Sequence, residues 1–283
     1  MSSALSRQVA SMLGVAVVGP MTPVGRGYTP ALRRIALLAD GRTVFVKAAT
    51  NAYTTAALRD EQRIYDQLDA PFIAYRLAFE DGALPVMILE DLSDAHWPPA
   101  WRDGDVAAVR ATMAAVAAAP VSGVPDINRD EFIGWRDVAA DPAAFLQLGL
   151  VSARWLAATL PALIAAEDAA ELSGTALLHA DLRSDNLCLR GGQVTLIDWN
   201  FACRGNPEID LAFWSASLAA EGGGVPEDLL PSAPQLAALV SGFFAARAGL
   251  PVIPQAPRVR HIQQVQLATA LPWAVRALKL TSP

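Results

Sequence analysis

Lysine is almost missing from this chain. It has 283 residues and 22 lysines and arginines together, yet only Lys47 and Lys279 are lysines. In a chain that so strongly prefers arginine, each lysine is a candidate for a particular task. Cysteine is equally scarce. Cys188 and Cys203 are the only two, too few for a disulfide framework and in keeping with a cytoplasmic protein. Long apolar runs are absent too. The alanine-rich stretch 107–119 is too short to cross a membrane and contains Arg110. Near the N-terminus, Ser11 and Gly14 interrupt the apolar run 9–18 and no clear cleavage site follows. An amphipathic helix over residues 3–13 is therefore expected there, not a signal peptide. Positive charge is also in deficit. A net charge of −6 argues against the basic face of a general nucleic-acid binder and permits a cationic partner.

What the chain has in plenty is apolar residues. At 53% hydrophobic content it can bury a large core, as one unit or two lobes. Strands are expected over residues 21–27, 31–38, 42–48, 74–79 and 85–89, with Asp40-Gly41 as a hairpin turn. A helix over 54–68 fits between them, capped by Thr54 or Thr55. Past Pro98-Pro99 helical patterns dominate, over 105–118, 152–172, 207–219, 232–248 and 257–280. Pro161, inside the second of these, is placed to kink or divide it. The fold class is α+β: a small lobe, residues 1–92, with a five-stranded antiparallel sheet and one helix, then a larger mainly helical lobe, 93–283.

The most informative stretch runs from Leu177 to Trp199. His179 stands two residues before Asp181, Asn186 five after it, and Asp198 ends the next apolar run. This is the spacing of the H-x-D-L-x-x-x-N catalytic loop of kinases, with Asp198 where the metal-holding aspartate stands. Phosphoryl transfer asks for a carboxylate to meet the attacking hydroxyl and for oxygen ligands to hold magnesium on the nucleotide phosphates. A turn between antiparallel strands is expected to bring Asp181, Asn186 and Asp198 to one mouth. A plain polar loop between two strands would account for Asp185 and Asn186. It would not account for Asp198, which ends an apolar run with no turn residue beside it.

Upstream, Thr43-Val44-Phe45-Val46-Lys47 resembles the V-A-I-K strand whose lysine pairs with nucleotide phosphates. The alternative is an edge-strand charge that discourages aggregation. Gly25 and Gly27 precede it in a turn where backbone amides could approach phosphates, although any hairpin could use them. Glu61, near the edge of the helix's apolar stripe, can reach back to Lys47; otherwise it forms surface pairs worth about 0.2–0.5 kcal/mol each.

The loop H-A-D-L-R-S-D-N at 179–186, the L-I-D-W at 196–199 and the G-N-P-x-I-D-L-A at 205–212 together resemble the aminoglycoside phosphotransferase/choline kinase family, over residues 25–219. The resemblance implies a bilobal protein-kinase-like fold with ATP or GTP between the lobes and Mg²⁺ as cofactor. Asp181 would be the catalytic base, and Asn186 and Asp198 the magnesium ligands. Lys47 would contact phosphates and Glu61 would hold it. Segment 89–92, with Glu90 and Leu92, would receive the purine. His179 and Asp210 would brace the loop.

Ala180 departs from the family's frequent glycine, and Arg183 stands where protein kinases carry a lysine. That arginine either grips the γ-phosphate bidentately or is a surface residue. No activation segment ending in A-P-E follows, so the expected acceptor is a small hydroxylated molecule. The family name suggests an aminoglycoside or other antibiotic, while a sugar, an amino alcohol or a cyclic peptide antibiotic remains open. Asp130, Glu131, Asp137 and Asp141, with Trp135 and Trp155, are candidate acceptor contacts, or else solvated charges and core tryptophans. The rival from another class is a pseudokinase scaffold, which would show loss of the lysine or of a metal ligand; here all are present.

Overall fold

The structure is a computed structural model that describes residues 2–25 and 27–283. The chain opens with α1 (Ser2–Leu13) and enters a five-stranded antiparallel sheet of β1 (Thr22–Pro23), β2 (Leu32–Leu37), β3 (Thr43–Ala48), β4 (Arg76–Glu80) and β5 (Val86–Glu90), ordered β1-β2-β3-β5-β4. The strand expected over 21–27 contracts to the two residues of β1. Period-two alternation in β3 divides its side chains between the faces. Val44 and Val46 pack with Val9 of α1 in one core, whereas Phe45 packs against the core on the other side.

Between β3 and β4 lies α2 (Ala52–Tyr65). It starts earlier than Thr54, because Asn51 is the cap: its Oδ1 accepts from the Thr54 amide at 2.9 Å, while Thr54 Oγ1 accepts from the Asn51 amide at 3.1 Å. Thr54 is thus the third helical residue of a reciprocal capping box.

The larger half contains α3 (Asp105–Ala117), α4 (Trp135–Ala140), α5 (Ala143–Leu146), α6 (Ala153–Asp168), α7 (Glu208–Ala220), α8 (Pro226–Leu229), α9 (Pro234–Ala248) and α10 (Val259–Ala277). Pro161 does not divide α6. Two short antiparallel pairs sit among these helices: β6 (Ala176–Leu178) with β9 (Cys203–Gly205), and β7 (Leu187–Arg190) with β8 (Gln193–Leu196). One apolar core runs through this half, with Trp135, Trp199, Trp214 and Trp273 almost fully enclosed. It is not cut at residue 92, since Leu58, Ile64, Tyr65, Met87 and Leu89 from the sheet half belong to it. The sheet and the helices therefore share their packing beside the cleft. Among the described residues no helix is long and apolar enough to cross a membrane.

A tight backbone approach lies where α9 meets α4. A Cβ on Gly134 would stand 2.0 Å from the Gly242 carbonyl oxygen, and one on Gly242 would stand 2.1 Å from Glu167 Oε1. Glu167 is fully buried and accepts from the Gly134 and Trp135 amides at 2.9 and 3.0 Å. Burial pushes its carboxyl up to about 7 despite those donors.

Candidate active site

Residues 179–186 do not turn between two paired strands, as the sequence suggested. They leave β6 and enter β7, and each of those strands pairs elsewhere. What holds the loop is side chains. Asp210, in the first turn of α7, accepts from the His179 amide at 2.7 Å and from the Ala180 amide at 2.8 Å. Those two charge-assisted bonds offset the burial that pushes the Asp210 carboxyl up.

His179 is fully enclosed, and its Nε2 lies 2.8 Å from the Ile197 carbonyl oxygen. A carbonyl can only accept, so Nε2 carries the proton and Nδ1 accepts from the Asp181 amide at 3.3 Å. Burial lowers the imidazole's proton affinity, which suits this neutral form. His179 thereby ties the loop to the residue before Asp198. Both Ala180 (φ 61°) and Asp198 (φ 66°) adopt left-handed backbone, a conformation that costs a residue with a Cβ about 1–2 kcal/mol. A glycine at 180 would relieve the first, which is a physical reason to expect one there.

Asp181 follows, its carboxylate 2.9 Å from Asn186 Nδ2 and 3.3 Å from Arg183 Nη1. Asn186 Nδ2 also donates to the Asp181 carbonyl at 2.8 Å. Burial raises the Asp181 carboxyl to about 6, and the Arg183 guanidinium only partly opposes this. Arg183 itself donates to Asp185 Oδ1 at 3.0 Å and lies over the Tyr28 ring at 5.0 Å.

Across the cleft, Lys47 is 8% exposed and reaches Glu61 Oε2 at 2.6 Å; its Nζ also contacts Asp198 Oδ1. Burial pulls its proton affinity down, but the Asp198 and Glu61 carboxylates outweigh this and hold the ammonium above its ordinary range. Asp198 is held below the usual carboxylate range because Lys47 and Arg33 outweigh its burial. Glu61, 1% exposed, is pushed up by burial.

Arg33 is a member that sequence reasoning missed. The hairpin turn pairs Leu37 with Thr43, and counting back four residues on each strand puts Arg33 opposite Lys47. The register was computable from the Asp40-Gly41 turn.

A cavity of about 1080 Å³ opens on Lys47, Asp181, Arg183 and Asp198. Glu61, His179, Asn186 and Asp210 stand behind its wall, within hydrogen-bond reach of groups at or beside it. Neither Gly25 nor Gly27 lines it; the wall begins at Tyr28. Residue 26 of that turn lies outside the described residues. Tyr28 lies near two guanidinium groups, Arg183 at 5.0 Å and Arg258 at 5.3 Å, and Arg258 donates to the Gly27 carbonyl at 2.9 Å. The glycine turn thus rests on the catalytic loop and the start of α10.

Glu90 and Leu92 are not on the cavity either. The Glu90 carboxylate accepts from the Tyr75 amide at 2.7 Å and pairs with Arg190, while the Leu92 carbonyl accepts from Trp97 Nε1 at 2.9 Å. Of the acceptor candidates only Glu131 lines the cavity. Trp135 and Trp155 are core residues, their indole N–H groups donating to the carbonyls of Ala238 and Thr281. No disulfide joins Cys188 and Cys203.

Known proteins resemble this arrangement over nearly their whole length. A ternary complex of aminoglycoside phosphotransferase APH(4)-Ia with AMP-PNP and hygromycin B is similar at a TM-score of 0.61 and 16% identity, covering 98% of both chains. A choline/ethanolamine kinase family protein from Mesorhizobium loti gives 0.64 and 14%, covering 98% of this chain and 97% of its own. A macrolide 2'-phosphotransferase type I gives 0.53 and 19%, covering 98% and 92%. At such identities the likeness shows the fold. Among curated protein sequences none matches. The family model described as "Phosphotransferase enzyme family" matches residues 21–251, and with most of the chain inside that match, this protein belongs to the phosphotransferase enzyme family.

Proposed function

We propose that this phosphotransferase moves the γ-phosphoryl group of ATP or GTP to a hydroxyl of a small molecule, with magnesium as cofactor. The observation that carries the reading is the charge arrangement across the cleft. Lys47 is gripped by Glu61 on one side and Asp198 on the other, facing the Asp181–Asn186 pair. Asp181, with its carboxyl at about 6, is ionised at neutral pH yet basic enough to take the hydroxyl proton, which is what general-base catalysis near pH 7 asks for. Asn186 orients it through Nδ2, and Arg183 and Lys47 supply positive charge where phosphate oxygens would lie.

The residues fit magnesium. Among the described residues no group of three or more His, Cys, Asp or Glu side chains could hold a metal unaided. Magnesium does not need one, since it keeps waters and takes one or two protein oxygens beside the nucleotide's own phosphates. Asp198 is kept ionised by Lys47 and Arg33. The Asn186 amide spends its Nδ2 on Asp181, so the atom it can offer a cation is its oxygen. When bound, the ion would neutralise charge on the transferring phosphate.

The test is magnesium-dependent nucleotide turnover across hydroxylated acceptors, with Asp181→Asn as control. The expected loss is about 10²–10⁴-fold in kcat with a melting temperature no lower than that of the unsubstituted protein. Near-normal turnover in that variant, or no stabilisation by any nucleotide with magnesium, overturns the reading.

A further inference from the structure

Beyond the charged residues, the cavity is walled by rings. Phe132 on the segment before α4, Phe213 on α7 and Phe243 on α9 all line it. They pack on one another, with centroids 5.6 Å apart for Phe132 and Phe213 and 5.1 Å for Phe213 and Phe243, both edge-to-face or nearly so. Ile253, Val259 and Ile262, from the approach to α10 and its first turns, extend the apolar surface. At the catalytic end of the same cavity stands Phe201, 52% exposed and three residues past Asp198. Burying such surface is favourable in proportion to its area, and aromatic contacts add geometric preference.

Most of the charge on this side is already paired. Away from Asp181 and Asp198 the cavity meets three carboxylates: Asp60, Asp126 and Glu131. Asp60 pairs with Arg63, itself on the wall, and Asp126 pairs with Arg204 at 2.9 Å. Glu131 Oε1 accepts from Asn128 Nδ2 at 3.0 Å. Arg247 lies 4.1 Å over the Phe243 ring, so that ring's cation-binding capacity is taken. Of these three only Glu131 lacks an ion pair, so a polycation entering here would find one carboxylate for its several charges. What the wall offers besides rings is neutral amides, at Gln255, Gln263 and Gln266, which suit hydroxyl and carbonyl groups.

We propose that the acceptor is a bulky hydroxylated molecule with an apolar, largely uncharged body, seated on Phe213, Phe243, Ile253 and Ile262 with one hydroxyl at Asp181. The assignment rests on the kinase reading above, because Asp181 marks the end at which the hydroxyl is delivered.

Four probes separate the chemistries on the full chain with nucleotide and magnesium present. Octyl β-D-glucoside (below its micelle-forming concentration) and hydrocortisone carry hydroxyls on uncharged apolar bodies. Hygromycin B is polycationic, and choline is a small cation. Calorimetric titration is expected to show at least one apolar probe binding at least tenfold more tightly than hygromycin B and choline. That binding should change less than threefold between 50 and 500 mM salt, because it does not depend on ion pairs. Ile253→Asp and Ile262→Asp, both on partly exposed positions, are each expected to weaken it at least tenfold; either one folding normally suffices. Tighter binding of hygromycin B or choline, or no binding of both apolar probes, overturns the assignment. Thermal stabilisation by nucleotide and magnesium, read on the same samples, distinguishes the failures. Its presence without apolar-probe binding sinks this inference alone, and its absence sinks the kinase reading beneath it.

Discussion

On one wall of the cavity every ionisable side chain is tied to a partner: Lys47 to Glu61 and Asp198, Asp181 to Asn186 and Arg183, Arg183 to Asp185. On the other wall Phe132, Phe213, Phe243 and Phe244 touch chiefly each other. The first wall depends on single atoms, because a buried charge that loses its partner keeps its full desolvation cost. The second depends on summed area and shape, so its losses are graded. The same cleft therefore joins a part that tolerates almost no substitution to a part that can be recut.

The sharpest way to break the comparison is Lys47→Met. Two carboxylates would then face each other, one of them 1% exposed, and the expected loss is about 3–5 kcal/mol in urea unfolding. Adding Glu61→Gln should return a large part of it. A single-variant loss below about 1 kcal/mol would mean that the charged wall is no more demanding than the apolar one.

Behind the phenylalanines, Gly242→Ala tests whether apolar packing can be as strict. Its Cβ would meet Glu167 Oε1 at 2.1 Å and Trp135 Cδ1 at 2.6 Å. Overpacking of this kind costs about 1–3 kcal/mol, readable as a lowered melting temperature.

The pH dependence sharpens the charged side. Below about pH 6 the Asp181 carboxyl, raised chiefly by burial, is protonated, and kcat/KM should fall on an acid limb there. The linked stability has the opposite sense. Folded Asp181 keeps its proton to higher pH than an unfolded aspartate, so the folded state binds more protons between about pH 4 and 6. Stability consequently falls as pH rises through that window. Asp181→Asn removes the fall and should gain about 1–3 kcal/mol at pH 8, at the expense of turnover.

The smallest effect is expected at Ala180→Gly. Relief of a φ of 61° should outweigh the added backbone freedom and stabilise the chain by about 0.5–1 kcal/mol. A destabilised variant would mean that the bond from the Ala180 amide to Asp210 needs the rigidity of an alanine.

The charged wall was largely legible in the sequence, since its residues sit at short fixed offsets or on a strand with a readable period. Lys47 sits next to the end of β3, and His179, Asp181 and Asn186 share one loop. Arg33 was missed, although hairpin register sets it opposite Lys47. The hinge residues were less legible. Glu90 and Leu92 lie where the segment was expected, but the Glu90 carboxylate and the Leu92 carbonyl are engaged by Tyr75, Arg190 and Trp97. Sequence offsets say nothing about which hydrogen-bonding groups are already taken. The acceptor candidates Asp130, Asp137 and Asp141 were chosen for charge and missed the cavity, whose surface is mostly uncharged.

By itself the sequence determined the phosphotransferase family, because its motifs set hydrogen-bonding groups at short offsets that local chain geometry can bring within a few ångströms. Only the tertiary structure decided the aromatic wall. Its residues come from the approach to α4, from α7, from α9 and from the start of α10, and in each helix they belong to an apolar stripe indistinguishable from core. Which part of such a stripe is left facing a cavity depends on how the helices pack, and that is a property of the whole fold.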